Sequence, residues 1–287
     1  MISKILLLPF FNSGYKPNHS CATEYMSRTH KDNLILLSNI PYRDSDIIVN
    51  FLSATHGKLS TVIYGARKIG KKTSFSFHPG DIIEVEFKKQ ENRDFITVLN
   101  SNGLLLIDMD RFPYNRFLFH CYFLELAAKI AKPEMPSAEL FEMLRINSSI
   151  KWHSSTHSVF IGWILWKIIK FGGYQIDLDS CEKCGKNSWK DTHDNERIYR
   201  KEVYSLSKNS GRIACKSCIP HPNSGQLITP AMMKLLWIME SSVDFLDFKR
   251  DFPTDIVNPL IILLNQYLIQ CYEIEPKSLS LFLSSIK

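Results

Sequence analysis

The sequence has no apolar run long enough to cross a membrane as a helix. Its most apolar stretch, residues 158–169, contains Lys167 and is shorter than the about 18 residues that a spanning helix needs. We therefore expect this stretch to form a buried core helix. The chain also lacks the composition of a disordered or fibrous protein, because 45% of its residues are hydrophobic and 22% are charged. Its 287 residues suffice for about two domains.

The chain has little net charge, but the charge is unevenly distributed. The formal net charge is +6, which alone says little about partners. Residues 47–80 contain no acidic residue at all, and residues 197–216 contain only Glu202. The first segment carries Lys58, Arg67, Lys68, Lys71 and Lys72, and the second carries Arg197, Arg200, Lys201, Lys208, Arg212 and Lys216. Both segments are therefore candidate surfaces for a polyanionic partner.

The cysteines do not have the pattern of a disulfide framework. The chain has seven, and Cys21, Cys121 and Cys271 stand outside any motif. An odd count with isolated thiols favours a reducing compartment. The apolar run at residues 5–11 is followed by no small-residue cleavage site, so we do not expect export. The polar sequence after this run predicts a loosely ordered extension over residues 1–32.

Residues 33–110 have the pattern of short β-strands. Ile83, Val85 and Phe87 alternate with charged residues, which is the period of two of a half-buried strand. Turn signals at 55–58, 79–81 and 100–103 separate the apolar runs, so that 95–99 and 104–107 are predicted to be different strands. Five or six short strands in this length predict a small β-barrel.

From residue 111 the apolar residues follow a helical period. Helices are predicted over 115–131, 138–145, 157–170, 230–240 and 259–272. A polar insert at about 177–222, which carries cysteines, interrupts them. The predicted fold class is therefore α+β with several domains: a barrel over 33–110, and a helical domain over 111–287 that contains the insert.

The insert contains the strongest chemical signal of the sequence. Cys181 and Cys184 form one CxxC pair, and Cys215 and Cys218 form a second. Each pair makes a tight turn that directs two thiolates to one point, and two such turns make a closed tetrahedral Zn²⁺ site. A closed shell of four thiolates leaves no open position, so the predicted zinc is structural. A redox CxxC motif is the alternative, but the βαβ unit that normally carries it is absent from the predicted elements.

Residues 65–71 have the spacing of a phosphate-binding loop without its chemistry. The sequence GARKIGK fits G-x-x-x-x-G-K, but Lys72 stands where a Ser or Thr hydroxyl would ligate Mg²⁺. The residues that follow are β-branched and aromatic rather than helix-forming. We therefore do not expect nucleotide hydrolysis at this loop.

The same loop is suited to a nucleic-acid backbone. Its two glycines keep the backbone flexible and open, and its four cations can contact the phosphates of a nucleic acid. Tyr64, Phe75 and Phe77 flank the loop and offer rings on which bases stack. A solvated basic loop with core aromatics beside it is the alternative interpretation.

Several segments, in their order along the chain, resemble the RecO family of bacterial recombination mediators. Residues 36–67, LLSNIPYRDSDIIVNFLSATHGKLSTVIYGAR, resemble the family's N-terminal opening, with its HGK turn and GAR ending. Residues 122–126 and 139–144 resemble the first two helices of its second domain. Residues 171–185 resemble its junction from helix to zinc module, and residues 277–283 resemble its C-terminal ending. The resemblance covers residues 33–287.

The resemblance implies an OB-fold barrel, a helical domain and a zinc module. It also implies binding of single- and double-stranded DNA, annealing of complementary strands without ATP, and loading of the recombinase on strands coated by single-strand-binding protein. The implied partners are RecR and the acidic, apolar C-terminal tail of the single-strand-binding protein. Arg67 and Lys68 match the family's basic loop and are expected to contact DNA. Lys129 and Lys132 are candidates for binding the tail.

The sequence thus predicts a non-enzymatic, DNA-binding recombination mediator with no membrane segment, located in the cytoplasm at the nucleoid. One Zn²⁺ is its predicted cofactor. The predicted DNA contacts are Lys58, Arg67, Lys68, Lys71, Lys72, Arg197, Arg200, Lys201 and Arg212. Two alternatives stay open: an RNA-binding module built from the barrel and the zinc insert, and a zinc-dependent hydrolase, which needs an open ligand position.

Overall fold

The chain folds into a β-barrel, a helical part and a small cysteine-bearing β region. The computed structural model describes residues 28–68, 77–89, 95–149, 157–191, 197–207, 210–219, 226–242 and 252–286. Within these ranges the barrel comes first, three helices follow, and the β region separates them from three further helices. The α+β class predicted from the sequence is confirmed.

The N-terminal sheet has the topology of an OB-fold barrel. Its strands are β1 (Arg28–Tyr42), β2 (Asp46–Ser53), β3 (Gly57–Ile63), β4 (Ile82–Lys89) and β5 (Ile96–Leu105). Their order is β3-β2-β1-β4-β5, and a parallel bridge between Ser60 and Phe95 closes the barrel. The Thr61 hydroxyl donates to the Ile96 carbonyl at 2.9 Å across the same seam. The interior is apolar, and Ile83, Val85 and Phe87 face it as their alternation predicts.

Two strands differ from the sequence prediction. The strand β1 begins at Arg28, where it pairs with Lys89, so the sheet already includes residues assigned to the extension over 1–32. The prediction of two strands separated by a turn at 100–103 is wrong, because β5 runs through this segment. Its polar residues pair with β4, and a bulge near Gly103 absorbs the irregularity. Turn-forming residues are tolerated here because this part of β5 is exposed.

The helical part surrounds one large apolar core. Its helices are α1 (Tyr114–Ile130), α2 (Ala138–Ser149), α3 (His157–Phe171), α4 (Pro230–Ser241), α5 (Thr254–Tyr272) and α6 (Leu279–Ser284). The apolar stretch at 158–169 lies in α3, where Ile164, Leu165 and Trp166 are fully buried. This confirms the prediction of a core helix. None of the helices in the described ranges is both long and apolar enough to cross a membrane.

The helix α5 begins earlier than its sequence signal indicates. The prediction placed its start at Pro259, whereas the helix begins at Thr254, directly after Pro253. Proline is common near helix starts because the first turn needs no backbone N–H donor. Pro259 is the sixth residue of α5, so its missing N–H leaves one intrahelical hydrogen bond unmade, at the Asp255 carbonyl in the first turn. A proline at that position therefore does not mark the first helical residue.

The region between α3 and α4 is built from short strands. They are β6 (Asp177–Cys181), β7 (Trp189–Asp191), β8 (Arg197–Tyr199), β9 (Tyr204–Leu206), β10 (Arg212–Cys215) and β11 (Gln226–Ile228). Four of them form a sheet in the order β11-β9-β10-β6, in which β6 and β10 are parallel. Leu206 and Ile213 belong to the main helical core. We call the segment 177–219 the cysteine module.

The HGK turn joins the barrel to the helical part. Gly57 has a φ of +70°, and a Cβ there would lie 2.4 Å from the Met135 carbonyl oxygen, so only glycine fits. The ammonium of Lys58 donates to the Ala128 carbonyl at 2.8 Å, and its backbone N–H donates to the Lys132 carbonyl at 3.1 Å. The charge of Lys58 thus neutralises the carbonyl end of α1.

A buried histidine forms a second contact across the same junction. His120 on α1 is 1% exposed, and its Nδ1 accepts a hydrogen bond from the Asn147 amide at 2.9 Å. Its other edge lies against Gly80 of the barrel, where a Cβ would be 2.3 Å from Nε2. Burial lowers the pKa of His120 to about 4, and the charge of Arg116 acts in the same direction, against a hydrogen bond with the Pro79 backbone.

We predict that His120 makes stability fall in mild acid. The neutral ring is favoured in the folded protein, so the unfolded chain binds the proton first as the pH drops below about 6.5. Between pH 6.5 and 5, this one group should lower the free energy of unfolding by about 2 kcal/mol. Urea unfolding of His120→Gln should lack this part of the pH dependence. The exposed His78, changed to Gln, serves as the control and should keep it. Equal slopes in the His120 variant and the unchanged protein would contradict this.

Candidate functional site

The four cysteines of the two CxxC pairs converge in space. Their Sγ atoms all lie within 4.8 Å of one another. The parallel pairing of β6 with β10 brings Cys181 beside Ile213 and so sets the two pairs side by side. The first cysteine of each pair ends a strand, Cys181 in β6 and Cys215 in β10, and the second lies in the tight turn that follows. The four thiols form a group that could hold a metal ion with tetrahedral thiolate coordination.

Backbone N–H groups prepare one of these thiols for ionisation. Burial by itself would raise the pKa of Cys181, but hydrogen bonds from the backbone of Cys215, Cys184 and Lys183 outweigh it and lower the pKa to about 6. The N–H of Cys215 lies 3.3 Å from the Cys181 sulfur. Gly185, with a φ of +69°, closes the first turn by donating to the Cys181 carbonyl at 2.9 Å. Such N–H donors stabilise thiolates, which are the form that binds metals.

The basic loop after β3 is fixed to the barrel at its start. The N–H of Gly65 donates to the Asp46 carboxylate at 2.8 Å, and the N–H of Arg67 donates to the Ser45 carbonyl at 2.9 Å. The side chains of Arg67 and Lys68 are exposed at this end of the barrel. We call the turn 64–68 the basic turn. Its backbone is therefore held in place while its cations face solvent.

Part of the predicted nucleic-acid surface lies outside the described residues. Lys71, Lys72 and Phe75 belong to the segment 69–76, which the structure does not describe. Phe77 is described, and it packs against the apolar interior of the barrel. Part of the Phe77 ring is therefore used inside the barrel, and its stacking on bases stays a prediction.

The other predicted cations differ in whether they have a hydrogen-bond or ion-pair partner within the fold. Arg200 donates to the Asn187 carbonyl at 2.8 Å, and Arg212 lies 3.3 Å from the Asp177 carboxylate. Lys201 is exposed, while the backbone of Arg197 lies in β8. Lys58 serves the junction described above. In the described part of the cysteine module, Arg212 is thus paired with a carboxylate, whereas Arg200 keeps its charge beside a neutral carbonyl.

Sequence reasoning missed a second basic and aromatic turn beside the basic turn. Arg43, between β1 and β2, has a φ of +50°, and its guanidinium lies 5.0 Å from the centre of the Tyr42 ring. Both side chains are exposed. The only signal was a charged turn sequence, YRDS, which by itself does not show that this turn lies next to residues 64–68.

A groove of about 1090 Å³ lies between the barrel and α1, and residues of both line it. Apolar side chains line its floor, among them Leu37, Ile107, Phe117 and Leu124. Charged side chains that line it include Lys58, Glu125, Lys129, Lys277, Asp108 and Asp110. The carboxylate of Glu125 is occupied, because it accepts hydrogen bonds from the backbone of Lys277 and from Ser278. Lys132 does not line this groove.

These features define a class of protein: an OB-type barrel joined to a helical domain that carries a four-cysteine module. The family models described as "Recombination protein O N terminal" and "Recombination protein O C terminal" match residues 26–102 and 111–280. The chain belongs to the RecO family. This membership supports a role in DNA repair and recombination.

Individual relatives are similar over most of the chain. A DNA repair protein RecO of Syntrophus aciditrophicus (strain SB) is 26% identical over 232 residues, which cover 79% of this chain and 81% of the relative. A DNA repair protein RecO of Clostridium novyi (strain NT) is 23% identical over 257 residues, covering 88% and 93%. Both comparisons include the barrel and the helical part.

Proposed function

We propose that this protein is a non-enzymatic recombination mediator that anneals complementary single strands and helps to load the recombinase on strands coated by single-strand-binding protein. The observation that carries the proposal is the basic turn, whose cations Arg67 and Lys68 are exposed on a backbone fixed to the barrel. Lys71 and Lys72, three and four positions after Lys68 in the sequence, add two further positive charges to the same loop. Such a surface binds single- and double-stranded DNA through phosphates and without sequence preference.

Annealing needs no nucleotide hydrolysis in this proposal. Two complementary strands repel each other through their phosphates, so cations that neutralise the backbone lower the barrier to pairing. The loop at 65–72 has a lysine instead of the hydroxyl that a Mg²⁺-nucleotide site requires. We therefore propose a role at the nucleoid, in the cytoplasm, in which RecR is a partner and ATP is not a substrate.

We further propose that the four cysteines bind one Zn²⁺ with a structural role. The four thiols are the complete ligand set of a closed tetrahedral site, and no further ligand position is needed. When bound, the ion ties the turn after β6 to the turn after β10. A zinc-dependent hydrolase is the alternative, and it requires an open position. Zinc X-ray absorption should show four sulfur neighbours, and a nitrogen or oxygen neighbour would favour the hydrolase.

The choice between DNA and RNA can be tested directly. We expect single-stranded DNA of about 15 nucleotides to bind at least as tightly as RNA of the same sequence, because phosphate contacts dominate the proposed surface. Fluorescence anisotropy at one fixed salt concentration measures both. A clear preference for RNA would overturn the DNA assignment and support the RNA-binding alternative.

We propose that the groove beside α1 binds the acidic, apolar tail of the single-strand-binding protein. Its floor offers an apolar surface, and Lys129 and Lys277 offer cations to the tail's carboxylates. We expect the double variant Lys129→Glu/Lys277→Glu to bind a tail peptide roughly tenfold more weakly, since exposed ion pairs contribute up to about 1 kcal/mol each. Lys234→Glu, an exposed change on α4, is the control. Unchanged peptide affinity in the double variant would place the tail elsewhere.

A further inference from the structure

Two exposed tyrosines lie in one row at the end of the barrel. Tyr42 pairs with Asp46 across β1 and β2, and the pairing of Ile47 with Ile63 places Tyr64 on the other side of Asp46. Tyr64 is 75% exposed and Tyr42 is 36% exposed. Two strand spacings of about 4.8 Å put the two positions roughly 10 Å apart. Neighbouring exposed aromatic rings form an apolar patch, and such patches are typical of binding surfaces.

Asp46 fixes the two turns that carry these rings. Its side chain is 8% exposed, and one carboxylate oxygen accepts hydrogen bonds from the N–H of Gly65 at 2.8 Å and from the Ser45 hydroxyl at 3.2 Å. The N–H of Arg67 adds a bond to the Ser45 carbonyl. The turn between β1 and β2 and the basic turn therefore form one unit.

Cations lie beside both rings. The guanidinium of Arg43 lies 5.0 Å from the Tyr42 ring centre, which is within the range of a cation–π contact. Arg67 and Lys68 follow Tyr64 after a short turn. Alternating rings and cations are the arrangement that holds single strands, because rings stack on unpaired bases while cations contact the phosphates.

We propose that Tyr42 and Tyr64 form a stacking platform for unpaired bases of single-stranded DNA, with Arg43 as an additional phosphate contact and Asp46 as a positioning residue. This inference rests on the proposed DNA-binding function and adds its binding mode. Paired bases in a duplex do not offer their faces, so the platform favours single strands. Stacking also leaves the Watson–Crick edges free, which is the state that a complementary strand can pair with.

The test separates bases from backbone. We compare an oligonucleotide of about 15 thymidines with an abasic strand of the same length, which keeps every phosphate and lacks every base. The unchanged protein should bind the thymidine strand at least tenfold more tightly. The double variant Tyr42→Ala/Tyr64→Ala should lose that preference, while its affinity for the abasic strand and its salt dependence stay unchanged. Tyr42→Phe/Tyr64→Phe should keep the preference, because the rings remain.

Matched controls make the result specific. Tyr114 is 70% exposed at the start of α1, and Tyr114→Ala should leave both affinities unchanged. Asp46→Ala should reduce the preference for bases, and Asp46→Asn, which keeps an acceptor oxygen, should restore it. Equal affinity of the unchanged protein for both strands would overturn the platform while DNA binding survives. Failure to bind either strand would overturn the proposed function together with the platform.

Discussion

Replacing Cys215 with serine will remove the zinc ion that we propose for the four-cysteine group, and it will destabilise the protein strongly. Structural zinc contributes about 10–16 kcal/mol to the folding of zinc-finger peptides at pH 7, and the loss of one thiolate removes most of this. The cysteine module is not an independent body, because Ile213 and Leu206 lie in the main core. Partial unfolding of the cysteine module should therefore also destabilise α4 and α5, which share this core. We expect a fall in Tm of about 10 °C or more, which corresponds to several kcal/mol.

The metal assay and a matched cysteine make this prediction specific. Cys121 is partly buried on α1 and lies outside the four-cysteine group, so Cys121→Ser should keep one zinc per chain and a nearly unchanged Tm. Zinc per chain is measured by mass spectrometry, and Tm by circular dichroism with and without a chelator. If Cys215→Ser retained stoichiometric zinc, or lost it without a change in Tm, a structural zinc site would be excluded.

Charge reversal at the basic turn should give the second large effect. In single-strand binding each phosphate contact changes the logarithm of affinity by about 0.7 per tenfold change in salt. Loss of two contacts at 0.1 M salt therefore lowers affinity about 25-fold, and the repulsion of Arg67→Glu/Lys68→Glu extends this to about 100-fold. With roughly five to six phosphates contacted, the salt slope of the unchanged protein should be roughly −4, and the double variant should change it to roughly −2.6. All sequences should be affected alike.

An equal change of charge elsewhere separates local contact from net charge. Lys132 and Lys234 are exposed and lie away from the basic turn, so Lys132→Glu/Lys234→Glu is the matched variant. It should retain most of the affinity and the unchanged salt slope. If both double variants weakened DNA binding equally, the effect would be one of overall charge, and the assignment of the basic turn would be wrong.

Local patterns predicted much of the architecture because their causes are local. The alternation in β4 follows from one buried face, and the CxxC spacing follows from the geometry of a turn. The HGK turn was recognised, but the role of Lys58 was not. A lysine in a glycine turn looks solvent-exposed until another domain brings the Ala128 carbonyl to it.

The composition of the nucleic-acid surface required the tertiary structure. Arg43 and Tyr64 are 21 positions apart, and only strand pairing through Asp46 makes them neighbours. Conversely, Arg200 and Arg212 look like free cations in the sequence. Their partners, the Asn187 carbonyl and the Asp177 carboxylate, lie on segments that the fold brings back. Counting charges in the sequence shows where cations occur, but it does not show which of them have a hydrogen-bond or ion-pair partner within the fold.

Strand annealing tests the central claim most directly. Two complementary oligonucleotides, one of them labelled with a fluorophore and the other with a quencher, are mixed with the protein in the absence of any nucleotide. The reaction is run with bare strands and with strands coated by single-strand-binding protein. A recombination mediator accelerates pairing in both cases, and Arg67→Glu/Lys68→Glu removes the acceleration. Pairing at the uncatalysed rate with folded, zinc-loaded protein would contradict the proposed function.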